Sequence, residues 1–168
     1  MIDLSYLDNL CAGLPPESAG PLAHRAAVAL ERRHEPGVQL AVTGDFTAPE
    51  DISWVPLHAA VAQNEDQNET TRDGAMGVAL ALAHRHKKWT VLRRLQSSLS
   101  EGADWILQGE SEVYALEVKG TDEGSLPLAE ALRQAKASLW VQRKGATPAV
   151  CVVSFKQPRA VFETDAPK

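Results

Sequence analysis

The stretch GADWILQGESEVYALEVKGT, residues 102–121, decides how this chain is read. Ala103 to Gln108 reads as a short strand, Gly109-Glu110-Ser111 as a hairpin turn, and Glu112 to Lys119 as the next strand. Side chains alternate along a strand, so Glu117 and Lys119 share one face and Val118 packs on the other. Asp104 opens the first strand. A short hairpin through Gly109 brings that opening beside the end of the second strand. Two carboxylates and an ammonium then meet at one edge of a sheet. Converging carboxylates are the oxygen ligands that a hard cation such as Mg²⁺ takes, with water completing the octahedron. The plainer alternative is a solvated Glu117–Lys119 pair with Asp104 as a turn residue.

Working outward, Asp73 to Lys87 is apolar almost all round, through Met76, Val78, Ala79, Leu80, Leu82 and Ala83. A helix of that kind packs deep against a sheet. Asp73 is expected at its start, where a carboxylate suits the helix dipole. Trp89 to Leu95 reads as a strand, followed by a Ser/Gly turn over 97–102. Gly120 to Ser125 reads as a polar loop. Leu128, Leu132, Ala135 and Leu139 fall at helical spacing, so a helix is expected over 126–142. Ala149 to Val153 is an unbroken apolar run, read as a buried central strand. Val161 and Phe162 read as an added edge strand before a frayed tail.

Upstream, a helix is expected after Pro15-Pro16, with Ser18 as its cap and Pro36-Gly37 as its stop. Val38, Leu40 and Val42 alternate as a strand. Residues 47–72 are the least regular part, and the polar run Gln63 to Thr71 reads as a solvated loop. The expected organisation is one domain: an N-terminal helix-strand extension with an acidic loop (1–72), a core (73–154) and a C-terminal edge strand and tail (155–168). The expected class is α/β, a mixed sheet flanked by helices with core order α-β-β-β-α-β.

The chain has 168 residues, 44% hydrophobic and 23% charged, which excludes wholesale disorder. A net charge of -5 argues against a nucleic-acid coat protein and leaves room for a local basic groove. Cys11 and Cys151 stand far apart with no CxxC or Cys/His run, so both read as reduced, buried thiols of a cytoplasmic protein. The first twenty residues carry two Asp and no Lys or Arg, unlike a secretory signal. No apolar run approaches the roughly 20 residues that span a bilayer, so no membrane partner is expected. The most basic stretch contains Lys87 and Lys88 and is followed by Arg93 and Arg94. These four are candidates for DNA phosphate contacts; cations favoured at a helix end are the alternative for the first two. Arg133, Lys136, Arg143 and Lys144 form a second candidate strip. Trp89, Trp105 and Trp140 sit among apolar neighbours and read as core.

Residues 102–121 resemble the PD-(D/E)XK nuclease signature of the restriction endonuclease-like superfamily. There an Asp opens the second core strand and Glu-X-Lys lies on the third. Asp104 and Glu117-Val118-Lys119 match residue by residue, with Asp104 thirteen positions before Glu117. The expected element order over 73–154 matches as well. The resemblance implies Mg²⁺- or Mn²⁺-dependent hydrolysis of DNA phosphodiesters, in bacterial defence or repair. Asp104 and Glu117 would be the metal ligands and Lys119 the third catalytic residue. Many members add a helix Glu to the site, and this core helix has none; Asp73 is the acidic candidate for that place. Gln134 corresponds to a glutamine that some members set near the metal. The missing helix Glu and the acidic balance support an alternative: a nuclease-like fold without catalysis, acting as a binding or immunity module. DNA is the expected partner, with a homodimer or a protein partner as further expectations.

Overall fold

In chain order the elements are β1 (Ile2–Asp3), a 3-10 turn (Leu4–Tyr6), α1 (Leu7–Leu10), α2 (Pro16–Glu31), β2 (Val38–Gly44), β3 (Ala48–Ser53), α3 (Ala59–Asn64), α4 (Gln67–Lys87), β4 (Thr90–Arg94), β5 (Trp105–Gln108), β6 (Val113–Thr121), α5 (Leu128–Leu139), β7 (Thr147–Ser154) and β8 (Arg159–Thr164). The structure is a computed structural model that describes residues 1–95, 103–122, 126–139 and 145–164. The expected turn over 97–102, Trp140, the basic residues Arg143 and Lys144, and the tail beyond 164 lie outside the described residues. All eight strands join one mixed sheet, in the order β1-β3-β2-β8-β7-β6-β5-β4. The run α4-β4-β5-β6-α5-β7 realises the expected α-β-β-β-α-β order. Strands β4, β5 and β6 form an antiparallel meander, and α5 is the crossover to parallel β7.

The apolar helix is buried as its composition requires: every residue from Gly74 to Ala83 is buried. It packs between α2 and strands β6 and β7. Two glycines let it approach closely. A Cβ on Gly74 would lie 2.9 Å from Ala26 Cα of α2, and one on Gly120 of β6 would lie 2.1 Å from the Thr71 carbonyl oxygen of α4. On the opposite face, Ala131 and Ala135 of α5 pack against Val150 and Val152 of β7. Trp89 and Trp105 are buried, and Trp89 stacks on Tyr114 at 3.8 Å. Cys11 and Cys151 are buried free thiols, and burial pushes Cys11 up to about 12. Among the described residues no helix is long and apolar enough to cross a membrane.

The structure corrects five local expectations. The least regular part, 47–72, holds β3, α3 and the first turns of α4, and Gln63 to Thr71 is not a loop. Asp66 caps α4 by accepting from the Glu69 N–H at 2.8 Å, so the polar run after it is the exposed start of a helix. Asp73 therefore lies inside α4, not at its end. Residue Ser18 is not the cap of α2; Pro15 takes that place, and the Ser18 N–H donates to the Pro15 carbonyl. Gly120 and Thr121 belong to β6 rather than to a loop, because the bare Gly120 lets α4 lie against the strand. Finally, β8 is not an edge strand. It lies between β7 and β2, with antiparallel and parallel partners respectively. Its Phe162 is fully buried, a gain of roughly 1.5–3 kcal/mol over exposure. The N-terminal extension is thereby part of the same sheet as the core.

Candidate active site

The meander's register assembles the site. Trp105 pairs with Leu116, which sets Asp104, one residue earlier, opposite Glu117. The Asp104 N–H donates to the Leu116 carbonyl, and the Asp104 carbonyl accepts from Leu95, both at 2.8 Å. Directly opposed residues share a sheet face, so Asp104, Glu117 and Lys119 project together. Leu116 and Val118 point the other way, into the main core. On β7, Val150 and Val152 flank Glu117 and Lys119 on the face that α5 covers. Glu117 is consequently buried, only 8% exposed.

The Asp104 carboxylate accepts from the Val118 backbone N–H at 2.8 Å, which locks it at the strand edge. It also lies within hydrogen-bonding reach of the Glu117 carboxyl. Lys119 Nζ is 3.6 Å from Glu117 Oε1. Burial pushes Glu117 up to about 8, the adjacent Asp104 charge adds to the rise, and Lys119 opposes it. Burial also raises Asp104, against the stabilising Val118 N–H, Lys119 and Arg94. Without a cation, the pair holds a proton near neutrality because two buried like charges repel.

The sequence-derived accessory residues distribute unevenly. Arg94 ends β4 opposite Trp105, on the α4 face of the sheet; it still lies close enough to stabilise the Asp104 charge, and its guanidinium sits 5.5 Å from the Trp105 ring. Arg93 pairs with Ile106 on β5, which places it on the sheet face of Asp104 and Glu117. Asp73 is engaged by arginines, with Arg72 Nε at 2.9 Å, Arg94 Nη2 at 3.8 Å and Arg25 Nη1 at 3.9 Å. Gln134 is half-buried on α5 and donates to Glu130 Oε1 at 3.3 Å. The chain does not bring Lys87 and Lys88 to the carboxylate pair. They end α4, about 20 Å along the helix from Asp73 at 1.5 Å per residue, and Lys87 pairs with Asp45 at 2.9 Å. Arg72 and Arg25 went unnoticed in the sequence. For Arg72 the signal is helical phase at the start of α4, which a reading of Gln63 to Thr71 as a solvated loop does not carry.

The donor set can be tested for a cation from these contacts. Two hard oxygen ligands share a proton that a divalent ion could replace, and an ammonium stands beside them. Among the described residues, no group of three or more His, Cys, Asp and Glu side chains is placed to hold a metal. A cation here would have two protein carboxylates, its remaining ligands coming from water, main-chain oxygen or substrate. This suits Mg²⁺, which keeps several waters and takes one or two carboxylates. Comparison of the chain with protein-family models, with curated proteins and with solved structures finds no match.

Proposed function

We propose that this chain is a Mg²⁺- or Mn²⁺-dependent nuclease of restriction endonuclease-like fold that hydrolyses DNA phosphodiesters, in bacterial defence or repair. The observation that carries the reading is the register that sets Asp104 opposite Glu117, with the Lys119 ammonium 3.6 Å from Glu117 on the same face. Asp104 and Glu117 would hold the metal, whose chemistry is to polarise a phosphoryl oxygen and to acidify a bound water. Asp104 is positioned for this by the Val118 N–H, and Glu117 by its place in the buried strand. Lys119 stands beside the carboxylate pair. It serves to offset negative charge that develops on the phosphate. Arg93 and Arg94 on the neighbouring strand supply positive charge for the DNA backbone.

A second reading, a nuclease-like fold acting as a binding or immunity module, draws on one observation. Asp73, the acidic candidate on the core helix, is occupied by arginines and does not join the carboxylate pair. The test is cleavage of linear, nicked, branched and single-stranded DNA with Mg²⁺ or Mn²⁺. The hydrolase reading expects cutting that requires the cation and falls at least roughly a hundredfold in Lys119→Ala, the scale for losing one transition-state partner. No cleavage of any substrate by the wild type removes it in favour of the binding module. Cleavage unaffected by Lys119→Ala removes the assigned site.

A further inference from the structure

Beside the carboxylate pair, α4 and β4 converge on one aspartate. Arg72 Nε lies 2.9 Å and Arg94 Nη2 3.8 Å from the same oxygen, Asp73 Oδ1. Both arginine side chains are at least half exposed, while Asp73 is largely covered. Arg25 also reaches Asp73, but its own charge is met by Glu69 at 2.6 Å and Glu65 at 3.9 Å. Arg72 and Arg94 are thus two guanidiniums that converge on one carboxylate oxygen, with Glu69 also within electrostatic reach of Arg72 and Asp104 within reach of Arg94. Their remaining contacts are weak. Arg94 touches the Met76 sulfur at 3.5 Å and the face of Trp105, and a thioether is a poor acceptor. Arg72 donates to Asp73 and also lies within electrostatic reach of Glu69.

The position of this pair is set by packing. The α4 turn that carries Arg72 is the one seated on Gly120, the residue after Lys119. Arg94 is paired with Trp105, the residue after Asp104. Two half-exposed forks of N–H donors, one of them within electrostatic reach of Asp104, have the geometry that selects an oxyanion with several acceptor oxygens.

We infer that Arg72 and Arg94 form a clamp for one backbone phosphodiester of a DNA strand, next to Asp104 and Glu117. This deepens the nuclease reading and rests on it for the identity of the ligand. An arriving phosphate takes Arg94 donors now directed at a sulfur and a ring, together with the exposed side of the Arg72 fork. Arg72 becomes a binding residue that neither strand alternation nor the nuclease signature points to.

The test is fluorescence polarisation of the full chain with a labelled DNA duplex and single strand, over a range of salt and in EDTA, so that no catalysis is involved. Arg72→Ala and Arg94→Ala are each expected to weaken binding about tenfold at low salt and to reduce the salt slope by about one. Arg72→Lys and Arg94→Lys should restore the slope, which follows charge, but only part of the affinity, because lysine has no fork. Both positions are exposed enough for the variants to keep the wild-type circular dichroism and melting. Lys87→Ala with Lys88→Ala, at the far end of α4, should leave the slope unchanged. The clamp is overturned if neither arginine variant changes the slope, if the distal lysines matter equally, or if the wild type binds no DNA. Reduced slopes in a protein that cuts nothing keep the clamp and remove the hydrolase reading. Cleavage with unchanged slopes does the reverse.

Discussion

Replacing Glu117 by Gln keeps the shape of the side chain and removes its charge. The wild-type carboxyl moves from its ordinary 4.5 to about 8 in the fold, first because it is buried and then because Asp104 is beside it. The folded state thus holds a proton that the unfolded chain has already released. Wild-type stability falls as pH rises from about 4.5 to about 8 and then levels off. At 1.36 kcal/mol per pH unit the whole shift is worth about 5 kcal/mol, a ceiling that water penetration lowers. Half of that would move the melting midpoint of a chain this size by about 5–10 °C. Glu117→Gln should match the wild type at the acid end of this window, where both side chains are neutral. It should then gain on the wild type steadily, to a plateau above the window. Burial also raises Asp104, against the Val118 N–H, Lys119 and Arg94, so it adds a slope of the same sign in both proteins. Asp45 and Glu50 are pushed up by burial but held below the ordinary range by Lys87 and Thr164 and by Arg85. They lose stability as pH falls, and they do so alike in both proteins. The measurement is urea or thermal unfolding of the two proteins across this range, with EDTA. If the two curves run parallel from acid to alkaline pH, Glu117 carries no raised pKa and the account of the pair is wrong.

Three further expectations follow from other contacts. Mg²⁺ or Mn²⁺ should raise the wild-type midpoint above pH 8, where the pair is ionised and repels, and should leave Glu117→Ala unmoved; equal shifts in the two proteins would place the ion elsewhere. Asp66→Ala removes the side-chain oxygen that accepts from Glu69 and should cost about 1 kcal/mol in urea unfolding, with Asp66→Ser recovering most of it. Gly120→Ala forces a Cβ to within 2.1 Å of the Thr71 carbonyl and should cost about 1–3 kcal/mol by overpacking; an unchanged midpoint would mean that α4 does not rest on β6 there.

Local pattern determined the meander and which of its charged side chains share a face. Alternation put Glu117 and Lys119 on one face, the Gly109 turn fixed the hairpin, and an all-apolar run marked α4 as buried. These signals are local because each depends on a repeat of two or 3.6 residues within a single element. The start of α4 escaped that reading. Its first turn is exposed and has no apolar repeat to detect, although Asp66 with Glu69 three residues on is a helix-start signature. Pairing between distant segments was beyond any local repeat. Nothing in Val161-Phe162 alone distinguishes an edge from an interior strand; β8 became interior because β2, more than a hundred residues earlier, lies along its other side. The carboxylate pair needed the register of β5 on β6, which a one-residue slip would have abolished by turning Asp104 to the opposite face. The meeting of Arg72, Asp73 and Arg94 needed both the true start of α4 and the return of β4 along it. Those are facts of chain packing, set by the seating of α4 on the bare backbone of Gly120 and by the pairing of β4 with β5.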